Sequence, residues 1–89
     1  MKKTAKQRAL HRLKIIHGHL NKIEQMVEED RYCVDVITQS LAVQSSLKSL
    51  NKLLLEKHIS TCVIDQVKQG NSKKIVDELI KLYELEARS

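Results

Sequence analysis

Residues 30–69 of this chain form a long stretch that contains neither glycine nor proline. Its apolar side chains recur at steps of three and four residues, which is the period of an α-helix. Because glycine and proline are the residues that most disfavour a helix interior, we predict one long helix over residues 31–69. A chain of 89 residues buries little surface alone, and two shorter helices would leave much of this helix uncovered. The sequence therefore predicts one all-α domain over residues 1–89, a three-helix protomer that associates with copies of itself.

Helix 1 is predicted over residues 4–28, before the long helix. Thr4 and Gln7 have the spacing of a capping box, in which each side chain accepts a hydrogen bond from the other residue's backbone N–H. An acidic cluster at residues 28–30 ends this helix, and Asp30 is expected to be the N-cap of the long helix. The apolar stripe of helix 1 consists of Leu10, Leu13, Leu20, Ile23 and Val27.

Helix 3 is predicted over residues 72–86, after a short connection. Gly70 suits the C-cap of the long helix because glycine adopts a positive φ without strain. Asn71 or Ser72 is then expected to cap helix 3. The apolar face of helix 3 consists of Ile75, Val76, Leu79, Ile80 and Tyr83.

One line of side chains along the predicted long helix includes both cysteines and a histidine. In a uniform α-helix, His58 and Cys62 each fall within about 20° of Cys33 in azimuth. Cys33 and His58 are nevertheless 25 residues apart, or roughly 37 Å at the α-helical rise. If all three residues share an ion, an antiparallel second chain must bring its own Cys33 to the other end. The line consists of Cys33, Val36, Ser40, Val43, Leu47, Leu50, Leu54, His58 and Cys62.

Two thiolates and one imidazole form a soft set of metal ligands. Thiolates select soft ions, notably Cu(I), and three ligands suit the low coordination number of that ion. Zn(II) would require a fourth ligand or an open water position, and His11, His17 and His19 have no spacing that supplies one. Two other interpretations stay open. One is a Cys–Cys redox or persulfide switch, which does not explain His58, and the other is a purely structural role for all three side chains.

The positive charge of the chain is concentrated in two regions. Seven basic residues precede the first acidic residue, Glu24, and residues 36–55 carry Lys48 and Lys52 without any acid. Such concentrations of charge favour a polyanion through counterion release, although a solvated lysine-rich helix end has the same composition. The seven residues are Lys2, Lys3, Lys6, Arg8, Arg12, Lys14 and Lys22.

Several classes of protein are disfavoured by what the sequence lacks. Without Phe or Trp it has no base-stacking platform, and none of its apolar runs approaches the ~20 residues of a membrane span. Residues 1–12 carry charge without the apolar core of a secretory signal, so we expect a cytoplasmic protein. Nothing resembles a nucleophile–base pair or a phosphate-binding loop, so an enzyme is not expected.

Several short motifs resemble those of the copper-sensitive operon repressors (CsoR-type), a family of metal-responsive transcriptional repressors. The resemblance covers most of the chain. It is carried by RYCVDV at 31–36, AVQSSL at 42–47, His58 and Cys62, with RLK at 12–14, GHL at 18–20 and ELI at 78–80.

The resemblance implies an antiparallel dimer with a four-helix-bundle core, assembled into a flat tetramer as a dimer of dimers without a helix-turn-helix. It implies that the apo form binds operator DNA. Cu(I), held by Cys33 of one protomer and by His58 and Cys62 of its partner, then weakens that binding and derepresses copper-resistance genes. Tyr32 and Glu78 match the pair that hydrogen-bonds the free ring nitrogen of the histidine ligand. The candidate DNA contacts are Lys6, Arg8, Arg12, Lys14, Lys48 and Lys52.

Differences from other branches of the family indicate which effector to expect. Nickel- or cobalt-sensing relatives add an N-terminal histidine and carry histidine where Cys62 stands, and persulfide-sensing relatives lack the histidine that stands here as His58. Members often have an arginine where this chain has Ser49, so DNA contacts there are expected at Lys48 or Lys52. A thiol- or persulfide-responsive repressor on the same scaffold and a copper-buffering protein are the alternatives.

Overall fold

A computed structural model describes residues 3–88, which form helices and no strand. This confirms the all-α prediction. In chain order the elements are α1 (Ala5–Glu28), α2 (Cys33–Lys57), a π-helical segment (His58–Val63), α3 (Ile64–Lys68) and α4 (Ser72–Ala87). In the described range, no helix is both long enough and apolar enough to cross a membrane.

The start of α1 is fixed by the predicted capping box. The Gln7 backbone N–H donates to the Thr4 hydroxyl oxygen at 3.1 Å, and the Thr4 N–H donates to Gln7 Oε1 at 2.9 Å. These reciprocal bonds pair N–H groups that have no partner inside the helix. Both the predicted start of helix 1 and its predicted end at residue 28 are confirmed.

The turn between α1 and α2 corrects the role predicted for Asp30. This residue has φ of 54°, and its N–H donates to the Val27 carbonyl at 3.1 Å. The Arg31 N–H donates to the Met26 carbonyl at 3.0 Å, which completes a Schellman motif. Asp30 therefore ends α1 instead of capping α2, because a short polar side chain tolerates the left-handed conformation that this motif requires.

The predicted long helix is helical over residues 33–68, within two residues of the predicted bounds, but it is interrupted. At His58 the α-helix gives way to a π-helical segment that ends at Val63. The prediction that Cys33, His58 and Cys62 share an azimuth was based on a uniform α-helix. Because a π turn is wider than an α turn, that calculation does not apply to Cys62. The predicted long central helix is therefore present, and the sequence did not predict the π-helical segment inside it.

The connection between α3 and α4 has the predicted glycine geometry. Gly70 has φ of 84°, and its N–H donates to the Val67 carbonyl at 3.0 Å. The Asn71 N–H donates to the Gln66 carbonyl at 3.0 Å, a second Schellman motif. Asn71 occupies the predicted N-cap position of α4, although its side chain makes no capping hydrogen bond. Helix 3 as predicted corresponds to α4.

The chain divides into two compact units, Met1–Leu55 and Glu56–Ser89. In the first unit, Ala9 of α1 is buried with Leu50 and Leu53 of α2, and Leu13 packs against this cluster. In the second unit, α4 packs against α3, and Ile75 is 2% exposed. The small side chain of Ala9 is compatible with a close approach of α1 to α2.

The buried side of α1 is displaced from the predicted stripe. Its buried residues are Ala9, Ile16 and Met26, whereas three members of the predicted stripe, Leu10, Leu20 and Val27, are 47–58% exposed. The apolar residues of α1 thus form two faces, and only one of them is covered within the protomer. In α4 the predicted face is likewise mostly exposed, with Val76, Ile80 and Tyr83 among its exposed members.

Candidate functional site

The three predicted metal ligands are placed at the ends of helical elements. Cys33 is the first residue of α2, and His58 is the first residue of the π-helical segment, which also contains Cys62. Both cysteines are free thiols and exposed, and His58 is half-buried. The structure therefore places His58 and Cys62 in one turn of the second unit, while Cys33 belongs to the first unit.

The π-helical segment carries two hydroxyl side chains that bond to one carbonyl. The Thr61 hydroxyl donates to the Lys57 carbonyl oxygen at 2.7 Å, and the Ser60 hydroxyl donates to the same oxygen at 3.2 Å. Thr61 Oγ1 also lies 3.6 Å from Cys62 Sγ. The segment that contains two of the three predicted ligands is thus held by local side-chain bonds to the backbone.

The donor set fits a soft monovalent ion. Residues 3–88 of one chain bring together no group of three His, Cys, Asp or Glu side chains able to hold a metal ion. His58 and Cys62 are exposed or half-buried, so an ion shared with a ligand from elsewhere has access to both. Two sulfurs and one imidazole nitrogen are the ligand types that Cu(I) accepts.

The predicted histidine-bonding pair belongs to different units of the chain. Tyr32 immediately precedes α2 in the first unit and is 68% exposed. Glu78 lies on α4 in the second unit and is half-buried. It lines a shallow groove at the start of α4 with Gly70, Asn71, Lys73, Lys74, Asp77 and Lys81. The partnership of Tyr32 and Glu78 with His58 stays a prediction.

The predicted DNA-contacting residues lie at one end of the first unit. Because Ala9 and Leu13 pack with Leu50 and Leu53, the first half of α1 runs beside the second half of α2. This arrangement brings Lys48 and Lys52 to the same end as the basic residues of α1. Arg12 is half-buried and lines a groove with Ser46 and Ser49, whereas the others are exposed: Lys6, Arg8, Lys14, Lys48 and Lys52. Lys2 lies outside the described residues.

The opposite end of the first unit carries its acidic residues. All the Asp and Glu side chains of residues 1–55 fall within residues 24–35, around the turn between α1 and α2. His19 of α1 and Gln39 of α2 are joined there by a 2.7 Å hydrogen bond between their side chains. The packing of α1 on α2 thus separates a basic end from an acidic end, a charge separation that favours a polyanion at the basic end.

The family of the chain follows from comparison with known proteins. Residues 5–84 match the family described as "Metal-sensitive transcriptional repressor". The chain belongs to this family. The resemblance stated from the sequence motifs is therefore confirmed, and transcriptional repression is not an enzyme activity.

Curated and solved members of the family agree with this assignment. The copper-sensing transcriptional repressor CsoR of Mycobacterium tuberculosis is 49% identical over 78 residues, or 86% of this chain. The chain spans 66% of the length of that relative, just under two thirds. CsoR of Bacillus subtilis is 41% identical over 78 residues, covering 88% of this chain and 77% of the relative.

The fold of a solved family member is close to that of this chain. The crystal structure of the copper-sensing repressor CsoR with Cu(I) from Geobacillus thermodenitrificans NG80-2 has a TM-score of 0.85 and 30% sequence identity. The match covers 98% of this chain and 93% of that chain. The three-helix arrangement expected of the family is thus confirmed.

Thr61 and Ser60 were not among the residues that the sequence predicted for the site. Helical periodicity is read from the apolar residues, so it gives no signal for two hydroxyl residues. The available signal was their spacing: residues three and four positions after Lys57 can bond back to its carbonyl and distort a helix.

Proposed function

We propose that the protein is a cytoplasmic Cu(I)-responsive transcriptional repressor. Its apo form binds operator DNA, and Cu(I) releases it, so that copper-resistance genes are derepressed. The observation that carries this proposal is the His58–Cys62 pair in one helical turn, together with the free thiol of Cys33, in a chain of the metal-sensitive repressor family. The relatives named as copper-sensing, and the solved one that contains Cu(I), support the choice of metal.

The proposed site is shared between two chains. Cys33 of one protomer and His58 and Cys62 of its partner hold Cu(I), in an antiparallel dimer that pairs further into a dimer of dimers. Their separation in sequence supports a second chain, because Cys33 and His58 are 25 positions apart. Leu47 and Leu54, which lie on the predicted line of side chains along α2, are exposed and form an apolar surface that such a partner covers.

Operator binding is assigned to the basic end of the first unit. Its lysines and arginines neutralise phosphates and release counterions, which supplies affinity without reading sequence. The absence of acidic residues from residues 36–55 supports this surface, since no carboxylate there repels phosphate. The contacts that we propose are Lys6, Arg8, Arg12, Lys14, Lys48 and Lys52.

The function is tested by titrating Cu(I) into anaerobic, reduced protein bound to its own promoter DNA. Release of DNA at the stoichiometry of the site supports the proposal. Tight Cu(I) binding by a protein that never binds promoter DNA would instead indicate a copper buffer. Release by a persulfide donor or a thiol oxidant, with no response to Cu(I), would indicate the thiol-sensing alternative.

Cu(I) is expected to release DNA where Zn(II) does not. Two thiolates and one imidazole complete a three-coordinate Cu(I) site but leave a tetrahedral Zn(II) site open. Operator affinity is measured by fluorescence anisotropy with each ion at saturation, and X-ray absorption reports the ligands. Four protein ligands on the ion that releases DNA would contradict the assignment.

Operator affinity is expected to fall steeply with salt, and replacing Arg8 and Arg12 with Gln is expected to flatten that dependence. If each arginine neutralises one phosphate, the slope of log K against log salt falls by about 0.9 per residue. Affinity is expected to drop equally for specific and random DNA. The matched control is the double variant Lys73→Gln/Lys74→Gln on α4, which removes the same charge outside the proposed surface. Equal effects of the two variants would argue against helix α1 as the DNA surface.

A further inference from the structure

The carbonyl of Lys57 stands at the point where α2 ends and the π-helical segment begins. Two side-chain hydroxyls donate to it, from Thr61 at 2.7 Å and from Ser60 at 3.2 Å. All three residues have exposed side chains, so water competes for these bonds. The shorter bond belongs to Thr61, which precedes the predicted ligand Cys62 directly.

The position of Thr61 relative to Lys57 links its hydroxyl to the type of helical turn. In an α-helix, the carbonyl of residue i accepts the N–H of residue i+4, which for Lys57 is the N–H of Thr61 itself. In a π-helix, it accepts the N–H of residue i+5, which is that of Cys62. When the Thr61 hydroxyl bonds to this carbonyl, it competes with the α-type backbone bond. Thr38 and Ser46 donate in the same way to the carbonyls of Val34 and Ala42 within regular α2, so the Lys57 carbonyl differs in accepting from two hydroxyls, at the start of the wider turn.

The same hydroxyl also contacts the predicted ligand sulfur. Thr61 Oγ1 lies 3.6 Å from Cys62 Sγ, within hydrogen-bond range for sulfur. Threonine is β-branched, and the methyl group on its Cβ restricts χ1, so its oxygen has a more fixed position than the oxygen of serine. One oxygen atom thus contacts both the backbone that defines the turn and the side chain that completes the ligand pair.

We propose that Thr61 is a positioning residue for the metal site. Its hydroxyl bonds to the Lys57 carbonyl and contacts Cys62 Sγ, and so it fixes the position of the Cys62 thiol relative to the His58 imidazole. The proposal rests on the ligand set assigned under the proposed function. Ser60 has the longer bond and no contact with a ligand, so it contributes less.

The test compares Thr61→Val, which keeps the shape and removes the hydroxyl, with Thr61→Ser, which keeps the hydroxyl. Ser60→Ala is the matched control, because it removes the neighbouring hydroxyl from the same carbonyl. Cu(I) affinity is measured by competition with a chelator, and the apo protein is examined by NMR for the amide shifts and hydrogen exchange of Cys62 and Val63. If the valine variant folds poorly, Thr61→Ala repeats the test, because alanine is a strong helix former.

We expect Thr61→Val and Thr61→Ala to weaken Cu(I) binding about 10–100-fold, the range typical of losing an outer partner of a metal ligand. We expect both to shift the Cys62 and Val63 amide signals in the apo protein. Thr61→Ser should restore most of the affinity, and Ser60→Ala should bind like the parent. Parental Cu(I) affinity in both hydroxyl-free variants would overturn the proposal, whether or not the amide signals move. Failure of the proposed function is distinct, because then Cu(I) does not release DNA from the parent protein.

Discussion

Mixing Cys33→Ala chains with Cys62→Ala chains is expected to restore Cu(I) binding that neither variant has alone. In the proposed dimer, each homodimeric variant has only incomplete sites. A heterodimer contains one complete site, formed by Cys33 of the Cys62→Ala chain with His58 and Cys62 of the other chain. Because loss of a ligand removes a metal–sulfur bond, each single variant should lose more than the about 10–100-fold that an outer partner costs. Affinity is measured by chelator competition after refolding the chains together.

The control for this experiment mixes His58→Ala chains with Cys62→Ala chains. Both substitutions lie in the π-helical segment, so every heterodimer has two incomplete sites and no rescue is expected. If Cu(I) binding in the first mixture is merely the average of its two components, the ligands are not shared between chains. Rescue in the control mixture would show that the sites are assembled from some other set of residues.

Helix ends could be predicted from the sequence wherever a specific capping motif marks them. Thr4 and Gln7 form the expected capping box, and Gly70 has the expected positive φ. Asp30 was assigned to the wrong helix because Asp serves equally as an N-cap and as a left-handed residue that ends a helix. The choice between these roles depends on backbone hydrogen bonds that the sequence does not display.

Helical periodicity was less informative about which apolar face is buried within the protomer. Helix α1 has apolar residues on more than one side, and the small Ala9 faces α2 while the larger Leu10 is 51% exposed. A prediction based on large apolar residues places Leu10 on the buried face of α1, whereas close packing against α2 buries the smaller Ala9. In the proposed oligomer, the exposed apolar side chains of α1 form a second face, so no single stripe describes this helix.

The candidate metal residues could be selected from the sequence because chemistry and spacing both restrict them. Two cysteines and one histidine on one predicted line are few enough to single out, and family resemblance then assigned their roles. The π turn at His58 could not be predicted from residue chemistry and spacing. It depends on the hydrogen-bond register of the Lys57 carbonyl, which the side chains of Ser60 and Thr61 alter without changing the apolar pattern.

Glu78→Ala is expected to separate Cu(I) binding from DNA release. The variant keeps both thiolates and the imidazole, so it should keep most of the Cu(I) affinity. We expect it to lose much of the difference in operator affinity between the apo and Cu(I)-bound forms. Allosteric coupling is typically about 1–3 kcal/mol, and a hydrogen bond contributes about 0.5–1.5 kcal/mol, so one lost bond removes a large part of it.

The physical reason lies in the ring nitrogen of His58 that the metal does not use. Ligation through one nitrogen leaves the other as an N–H donor, and a carboxylate that accepts from it is bound more strongly when the metal is present. Glu78 is half-buried on α4, so an interaction made only in the Cu(I) state would bias the position of that helix. Tyr32→Phe should weaken the coupling in the same direction if its hydroxyl takes part.

Asp77→Ala is the matched control for Glu78→Ala, because Asp77 lines the same groove and carries the same charge one position earlier on α4. It should bind Cu(I) and release DNA like the parent. The measurements are Cu(I) affinity by chelator competition and operator affinity with and without Cu(I), at one salt concentration. If Glu78→Ala also releases DNA like the parent, Glu78 has no part in the coupling. The change in DNA affinity would then have to be transmitted through α2 and the π-helical segment, where the hydroxyl of Thr61 connects the ligand Cys62 to the Lys57 carbonyl.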